Sequence, residues 1–248
     1  MLDGMSEKTI VLVTGANKGI GYEIAAGLGG LGWRVGVGAR DRGRRDMAVE
    51  KLRAEGVDAF GVPLDVTDDG SVVAAAELIA DHAGGLDVLV NNAGINGVTG
   101  DRSQTPSTVD PATVRIIVET NVIGVVRVTN AMLPMLRASA SPRIVNMSSS
   151  VGSLTLQTTP GVDMGPVPAA YLASKTFLNA VTIQYVKELK DTNILINSAC
   201  PGLTATEFTG FSGDRTPQQG AAIAIHLATL PDDGPTGGFF NDSGTVPW

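Results

Sequence analysis

The segment from Thr9 to Gly21 reads Thr-Ile-Val-Leu-Val-Thr-Gly-Ala-Asn-Lys-Gly-Ile-Gly. Its first six residues are apolar or β-branched and predict a strand buried on both faces. The glycines that follow predict a tight turn into a helix that ends near Leu31. Such a turn lets the backbone approach a pyrophosphate, whose charge is stabilised at the helix N-terminus. The segment therefore predicts a nucleotide site, although a glycine pattern alone is weak evidence in a chain with 31 glycines.

Beyond this segment, short β-branched runs alternate with helical patterns. Further strands are predicted at 34–38, 58–64, 86–91, 143–148 and 194–199, with a short seventh at 238–241. Helices are predicted at 44–55, 71–82, 111–137, 169–189 and 216–230. This alternation implies a parallel sheet covered on both faces, with right-handed crossovers. Because no repeat, charge run or linker interrupts it, we expect residues 1–248 to form one doubly wound α/β domain.

Composition restricts the classes of partner. Hydrophobic residues make up 43 % and charged residues 17 %, which is typical of a globular chain. The net charge of −7 argues against nucleic acid or an anionic membrane as the main partner. The single cysteine, Cys200, excludes an internal disulfide and suits a reducing compartment. Residues 1–8 are not typical of a secretory signal, so we expect a cytoplasmic protein.

Tyr171 and Lys175 belong to the run Tyr-Leu-Ala-Ser-Lys in the predicted helix 169–189. Positions i and i+4 lie on one helix face, so the phenol and the ammonium can point into the same space. A neighbouring cation favours phenolate, so we expect Tyr171 to have a pKa well below about 10 and to serve as an acid or base. Taken alone, this spacing is more often that of a solvated surface pair.

Four motifs occur together and in order: Gly-x-x-x-Gly-x-Gly at 15–21, Asn-Asn-Ala-Gly at 91–94, Tyr171-x-x-x-Lys175 and Pro-Gly at 201–202. Together they resemble the short-chain dehydrogenase/reductase family over nearly the whole chain, and the detailed sequence is similar to the NADPH-dependent carbonyl reductases. The resemblance implies a Rossmann fold with a seven-stranded parallel sheet and helices on both faces. It also implies hydride transfer between a nicotinamide and a carbonyl or alcohol.

The resemblance implies a catalytic set as well. Tyr171 corresponds to the family's proton donor, and Lys175 to the residue that holds the ribose hydroxyls and assists the phenol. The family's serine corresponds to Ser149, with Ser148 and Ser150 as less favoured alternatives. Its hydroxyl would bond the substrate oxygen as negative charge develops there. Without the resemblance, a run of serines after a strand indicates turn chemistry.

Asn121, on the long predicted helix, corresponds to the fourth member of that set. The family's residue kinks the helix and holds a water that links the lysine to solvent; the alternative is an ordinary polar helix residue. No metal is expected, because His82 and His226 lie far apart in the sequence without ligand spacing. Cys200 has no base beside it in the sequence, so we expect it to pack rather than to attack a substrate.

Cofactor choice depends on the end of the second strand, where NAD-preferring members carry an acidic residue for the ribose 2′-hydroxyl. This chain has Ala39 and Arg40 there, and Lys18 lies in the glycine loop. Two cations near the 2′ position favour a phosphate because each can donate charge-assisted bonds to it. Asp41, one residue later, is a weak signal for NAD(H). We therefore expect NADP(H), with a solvated loop charge as the alternative interpretation of Arg40.

Other positions match family contacts to the cofactor. Asp65 and Val66 would contact adenine, and the Asn-Ala-Gly run at 92–94 would line its ribose. A turn under the nicotinamide carboxamide is expected after the sixth strand, although Thr204 replaces the aliphatic residue usual there. The full expected cofactor set is Gly15, Asn17, Lys18, Gly19, Ile20, Gly21, Arg40, Asp65, Val66, Asn92, Ala93, Gly94, Tyr171, Lys175, Pro201, Gly202 and Thr206.

The predicted function is an NADPH-dependent reductase of small ketones or aldehydes, with a secondary alcohol as the substrate of the reverse reaction. One alternative is an NAD-linked alcohol dehydrogenase of the same family. Another is a nucleotide-binding regulator that has lost turnover, although such proteins usually lose the tyrosine, lysine or serine that this chain keeps.

Two loops are expected to shape the substrate site. Tyr171 follows Ser149 by 22 positions, more than in many family members, so the loop 151–170 should overhang the site. The second loop is 203–216, where Phe208 and Phe211 suggest a neutral, moderately hydrophobic substrate. The long predicted helices would form the interface of a homo-oligomer, a dimer or a tetramer.

Overall fold

A computed structural model of the chain describes residues 8–97, 104–165 and 168–248. Its strands are β1 (Ile10–Thr14), β2 (Arg34–Ala39), β3 (Asp58–Pro63), β4 (Val88–Asn91), β5 (Arg143–Met147), β6 (Leu195–Ala199), β7 (Phe239–Asn241) and β8 (Gly244–Thr245). Its α-helices are α1 (Gly19–Gly30), α2 (Arg42–Ala54), α3 (Asp69–Ala83), α4 (Pro111–Val118), α5 (Gly124–Ala138), α6 (Leu154–Thr158), α7 (Ala169–Glu188) and α8 (Pro217–Ala228). A π-helical turn spans Glu119–Ile123, and 3₁₀ turns span Ser150–Gly152 and Glu207–Thr209.

The strands form one sheet in the order β3-β2-β1-β4-β5-β6-β7-β8. Strands β1 to β7 pair in parallel, and β8 pairs antiparallel with β7. The doubly wound Rossmann fold is therefore confirmed. The seven predicted parallel strands are present among the described residues, and the structure adds an eighth, antiparallel strand after β7 that was not predicted; a strand of two residues has no alternation that a sequence pattern could show. The order reverses between β1 and β4, which opens a crevice at their carboxyl ends.

Both faces of the sheet are covered by helices, which explains why the central strands are apolar along their length. In β1, Val11 and Val13 pack with residues of α1, α2 and α8. Ile10 and Leu12 pack on the opposite face with residues of α3, α5 and α7. Full burial of an aliphatic side chain of this size contributes about 1.5–3 kcal/mol. The apolar run that predicted a fully buried strand therefore packs against helices on both faces of the sheet.

The helical segment 111–138, predicted as one helix over 111–137, is divided into α4 and α5 by the π-helical turn Glu119–Ile123. By length and mean hydropathy, 1.4, the segment could cross a bilayer. The core helix of a folded domain has the same composition, and α5 buries Val128 and Leu136 against the sheet. We therefore interpret it as a helix of the core.

Buried amides fix the carboxyl ends of β4 and β5 relative to the helices. Asn91 donates from Nδ2 to Asn146 Oδ1 at 2.9 Å and to Thr129 Oγ1 at 3.1 Å. Asn146 in turn donates from Nδ2 to Thr182 Oγ1 on α7 at 2.9 Å. All four side chains are almost fully buried. Since an unpaired buried amide costs about 1–3 kcal/mol, this network holds both strand ends in one arrangement against α5 and α7.

The long loop 151–170 contains structure that the sequence pattern did not predict, namely α6. The N–H of Thr155 donates to the carbonyl of Trp248 at 2.9 Å, so this helix is tied to the C-terminal residue. The Trp248 ring stacks on Phe239 with 5.3 Å between centroids. Residues 166 and 167 of this loop, which we expected to overhang the site, lie outside the described residues.

Two glycines of α1 provide a matched test of packing. A Cβ on Gly21 would lie 2.4 Å from Asn92 Nδ2 and 2.5 Å from the carbonyl oxygen of Gly15, whereas one on Gly30 would meet no atom within 4 Å. We expect Gly21→Ala to lower the free energy of unfolding by about 1–3 kcal/mol because the backbone of the loop must shift. Gly30→Ala should raise it by about 0.5–1 kcal/mol. Urea unfolding of both variants measures the difference, and equal effects would contradict this account of the loop.

Candidate active site

The glycine loop lies in the crevice between β1 and β4. Gly15 and Gly19 have φ angles of +66° and +56°, a region that residues with a Cβ seldom occupy. Helix α1 begins at Gly19 without a side-chain cap on its N-terminus. Its first N–H groups thus remain available to an anion. Asn17 and Ile20, the other expected loop positions, are both partly exposed at the same turn.

The turn after β4 packs directly on this loop. Asn92 Nδ2 donates to the carbonyl oxygen of Thr14 at 2.9 Å. The Thr14 hydroxyl accepts from the N–H groups of Asn92 and Ala93, both at 2.9 Å. A Cβ on Gly15 would lie 3.0 Å from Ala93 Cα. The structure therefore brings the predicted residues after β4 against the predicted glycine loop, and Thr14, which the sequence analysis did not select, joins them.

The two cations expected at the 2′ position have different surroundings. Arg40 is exposed at the end of β2, and its charge contributes to a lowered pKa of Asp65. Lys18 forms an ion pair with Glu207, which we did not anticipate. Asp41, the weak signal for NAD(H), instead caps α2, accepting from the Arg44 N–H at 2.8 Å. A carboxylate used as a helix cap has less capacity to accept from a ribose.

Asp65 and Val66 follow β3 on the adjacent part of the same edge. Burial alone would raise the pKa of Asp65, but hydrogen bonds from the Thr67 N–H and hydroxyl outweigh it and keep the pKa low. The Val66 side chain packs near Gly124, where a Cβ would lie 2.9 Å from Val66 Cγ2. The carboxylate of Asp65 is therefore ionised, and it accepts hydrogen bonds from Thr67.

Asn121 lies within the π-helical turn and is fully buried. Its side chain pairs with the backbone of Ile95, accepting from the N–H and donating to the carbonyl, each at 2.8 Å. Asn121 Nδ2 also donates to Ser174 Oγ at 3.0 Å, and that hydroxyl donates to the Tyr171 carbonyl at 2.7 Å. The turn after β4 is thus linked to the start of α7. The sequence analysis missed Ser174, although it lies inside the Tyr-x-x-x-Lys motif.

The three serines after β5 have distinct surroundings. Ser148 is buried and donates to Asn179 Oδ1 at 2.6 Å. The Ser150 N–H donates to Cys200 Sγ at 3.2 Å as the 3₁₀ turn begins. Ser149 lies between them, and its side chain forms a hydrogen bond with the phenol of Tyr171. Of the three candidates, the described contacts connect Ser149 to that phenol.

Burial raises the pKa of Tyr171, the hydrogen bond with Ser149 lowers it only in part, and Cys200 raises it further. Our prediction of a lowered pKa is therefore wrong for the free chain. The reason is the direction of Lys175, whose Nζ lies 5.6 Å from the ring centroid and donates to the Met147 carbonyl at 2.7 Å. The phenol remains protonated and can give up its proton as an acid.

Lys175 is buried, with a residue exposure of 6 %. Burial lowers its pKa to about 8, because the charged form is desolvated. Nearby, a Cβ on Gly152 would lie 2.7 Å from the Lys175 carbonyl carbon, so the 3₁₀ turn after Ser149 packs tightly on α7. The predicted tyrosine, lysine and serine therefore lie in one small region at the carboxyl end of β5.

The turn after β6 completes the crevice. Gly202 has a φ of +73°, and a Cβ there would lie 2.7 Å from Arg215 Cδ. Thr206 is 9 % exposed and lies close to the glycine loop, since its Cγ2 is 3.4 Å from the position of a Cβ on Gly19. Thr204, which departs from the family pattern, is buried and donates to the Gly202 carbonyl at 3.2 Å. The hydroxyl that replaces an aliphatic side chain at this position is therefore hydrogen-bonded within the turn that follows Pro201.

The segment Leu203–Thr216, here called the lid, crosses the mouth of the crevice. The Phe208 ring packs edge-on against the Tyr171 ring with 5.4 Å between centroids. The Phe208 carbonyl accepts a hydrogen bond from Asn96 Nδ2. Sequence reasoning selected Phe208 as a shaping residue but could not show that it covers the phenol.

These groups define a dinucleotide-binding oxidoreductase site. On one side of the crevice, the uncapped N-terminus of α1, the glycine loop and the carboxylate of Asp65 fit a nicotinamide dinucleotide. A phenol, a serine hydroxyl and a buried lysine lie on the other. Within the described residues, no group of three histidines, cysteines or acidic residues is placed to hold a metal ion.

Comparison with known proteins agrees with this class. Residues 9–216 match the family model of short chain dehydrogenases, and the chain belongs to that family. Carbonyl reductase [NADPH] 1 of Mus musculus is 32% identical, over 98% of this chain and 99% of that protein. Salutaridine reductase of Papaver somniferum is 32% identical, over 96% of each chain. The crystal structure of NADPH-bound carbonyl reductase from chicken fatty liver superposes with a TM-score of 0.84 at 30% identity, covering 98% of this chain and 100% of that one. The resemblance to carbonyl reductases is confirmed.

The lowered pKa of Lys175 predicts a specific dependence of stability on pH. Between about pH 8 and 10.5 the unfolded chain holds the lysine proton while the folded chain releases it. The unfolded state then binds more protons, so Lys175 makes the fold more stable as pH rises through this window. Relative to Lys175→Met, we expect a gain on the order of 3 kcal/mol between pH 8 and 10.5. Urea unfolding of the parent and the variant at several pH values measures this gain. If the free energy of unfolding changed with pH equally in both proteins, a lowered pKa of Lys175 would be excluded.

Proposed function

We propose that this oxidoreductase reduces a ketone or aldehyde with NADPH. The observation that carries the proposal is the phenol of Tyr171, which is hydrogen-bonded to Ser149 and lies beside the buried Lys175 at the mouth of the crevice. A protonated phenol is the form needed to protonate a developing alkoxide.

When bound, the nicotinamide would supply the hydride that adds to the carbonyl carbon. The hydroxyls of Ser149 and Tyr171 hold the carbonyl oxygen and stabilise its developing negative charge. The Tyr171 O–H bond then breaks as its proton passes to that oxygen. Lys175, charged below about pH 8, would hold the ribose hydroxyls and assist the return of a proton to the phenol. Asn121 would support this lysine through a water, as expected from the family.

The choice of NADP(H) rests on charge at the end of β2 and in the glycine loop. Arg40 is exposed, and the residue before it is Ala39, where an acidic residue would favour NAD(H). Asp41, the residue that would favour NAD(H), serves as the cap of α2. The similar mouse protein has NADPH in its name, and the similar chicken structure has NADPH bound. These observations support NADP(H) over the NAD-linked alternative.

The substrate class follows from the apolar side chains around the crevice. Leu203 and Phe211 on the lid are 59 % and 70 % exposed, and Val162 on the loop before Tyr171 is 41 % exposed. A neutral, moderately hydrophobic carbonyl compound fits this surface better than a charged one.

A homo-oligomer is the expected assembly. Ile116 on α4, Ile123 in the π-helical turn and Phe177 on α7 are 60 %, 37 % and 47 % exposed. These side chains lie on the helices that we expected to form the interface, and α4 packs against α7. Burial between two copies would remove this apolar surface from water.

Tyr171→Phe tests the catalytic proposal. We expect kcat for ketone-dependent NADPH oxidation to fall by about 10²–10⁴-fold, because the variant has no proton to give. NADPH binding, followed by its fluorescence, should change little. The matched control is Tyr22→Phe, whose hydroxyl faces Glu55 away from the crevice. Full activity of Tyr171→Phe would remove the phenol from the mechanism, and cofactor binding without turnover in the parent chain would favour the regulator.

Arg40→Asp tests cofactor choice. The variant loses a phosphate donor and gains an acceptor for a ribose hydroxyl, so the ratio of NADPH to NADH activity should fall by about 10- to 100-fold. Arg137→Asp, an equal charge change at the distant end of α5, serves as the control. The ratio of kcat/KM values for the two cofactors is the measurement. A ratio that stays constant in Arg40→Asp would contradict selection by Arg40.

A further inference from the structure

Glu207 joins the lid to the cofactor side of the crevice. Its carboxylate pairs with Lys18 of the glycine loop, and the two side chains are 56 % and 48 % exposed. The next residue, Phe208, lies against the ring of Tyr171. Thr206, on the other side of Glu207, is close to Gly19. The ion pair therefore lies where the lid, the glycine loop and the catalytic side chains meet.

The positive charges around Glu207 come from two elements. Lys18 belongs to the loop before α1, and Arg44 belongs to the first turn of α2. The hydrogen bond and charge of Lys18, together with the charge of Arg44, hold the pKa of Glu207 below its usual range. Glu207 is therefore an exposed anion of the chain itself, and one of the two cations that hold it, Lys18, is the cation expected beside a phosphate on the adenine ribose.

A phosphate and a carboxylate seek the same donors, because both accept charge-assisted hydrogen bonds from ammonium and guanidinium groups. A ligand phosphate that binds Lys18 must therefore share it with Glu207 or displace Glu207 from it. A dinucleotide without the 2′-phosphate can bind while the ion pair stays intact. The two cofactors thus differ in whether they disturb the contact between Lys18 and the lid.

We infer that Glu207 is a cofactor-selectivity residue, which competes with the 2′-phosphate of NADP(H) for Lys18 and so reduces the preference for NADP(H) over NAD(H). This inference rests on the proposed role of Lys18 in binding NADP(H). It adds that a residue of the lid, and not only residues of the glycine loop and β2, sets the ratio of the two cofactors. Glu207 precedes Phe208 in the lid, so displacement of Glu207 from Lys18 also removes one contact between the lid and the glycine loop.

The local fold allows the carboxylate to be removed cleanly. The 3₁₀ turn that contains Glu207 is held by a capping box in which Thr206 and Thr209 each bond the backbone of the other. The N–H of Phe211 also donates to the Thr206 carbonyl at 2.7 Å. Since neither contact uses the Glu207 side chain, Glu207→Gln should keep the turn while removing the negative charge.

The test uses ligands that lack the nicotinamide, so that binding is read without turnover. Calorimetric titration compares 2′,5′-ADP, which carries the phosphate, with 5′-AMP, which does not. An exposed ion pair contributes at most about 1 kcal/mol, so Glu207→Gln should bind 2′,5′-ADP about two- to fivefold more tightly, with 5′-AMP unchanged. NADPH and NADH followed by fluorescence should show the same difference. Glu77→Gln, at an exposed position of α3, removes an equal charge and should change the affinity for neither ligand.

Two results would overturn the inference. One is an unchanged or weakened affinity of Glu207→Gln for 2′,5′-ADP, and the other is an equal gain for 2′,5′-ADP and 5′-AMP. Lys18→Ala distinguishes this failure from failure of the proposed cofactor. If Lys18→Ala loses affinity for 2′,5′-ADP while Glu207→Gln behaves as the parent, only the competition is wrong. If Lys18→Ala binds 2′,5′-ADP as the parent does, the phosphate site assigned to Lys18 is wrong as well.

Discussion

The close contact between the glycine loop and the turn after β4 is the constraint on which the site depends. Gly21 has no room for a Cβ beside Asn92 and the Gly15 carbonyl. Thr14 then binds the backbone of that turn through its hydroxyl. Because β1 and β4 are the strands at which the order of the sheet reverses, this contact defines the crevice and exposes the N-terminus of α1 within it. A bulkier loop would close the position that a pyrophosphate needs.

The same turn reaches the catalytic side through hydrogen bonds. Ile95 pairs with Asn121 in the π-helical turn, Asn121 binds Ser174, and Ser174 binds the carbonyl of Tyr171. Asn121 forms these hydrogen bonds with Ile95 from within the π-helical turn, and π-helical turns are frequent at functional sites. A cofactor that binds at the turn after β4 therefore lies on elements already fixed relative to the phenol. Pre-organisation of this kind lowers the entropic cost of reaching a reactive geometry.

The sequence was sufficient for the fold and for the location of the site, because both depend on strong local patterns. Apolar strands that alternate with helices predict a buried parallel sheet, and each chemical motif follows a predicted strand or begins a helix. The choice among Ser148, Ser149 and Ser150 needed the structure, since only the contacts show that the Ser148 hydroxyl donates to Asn179. The raised pKa of Tyr171 was not predictable from spacing. The i+4 relation places Lys175 on the same face, but the direction of its amine depends on the Met147 carbonyl, which is distant in sequence.

Electrostatics gives a physical reason for an acidic residue, Glu207, beside the cation Lys18. The chain carries a net charge of −7, so an anionic dinucleotide is repelled unless cations are concentrated at the crevice. A cation cluster without a partner would bind any small phosphate with similar strength. The carboxylate of Glu207 on Lys18 opposes each of these phosphates equally. Only a ligand that gains further binding energy along the glycine loop and the turn after β4 can then displace it, and specificity is a difference of affinities of this kind. In this arrangement the lid does more than cover Tyr171, since one of its side chains also helps to decide which anions enter the crevice.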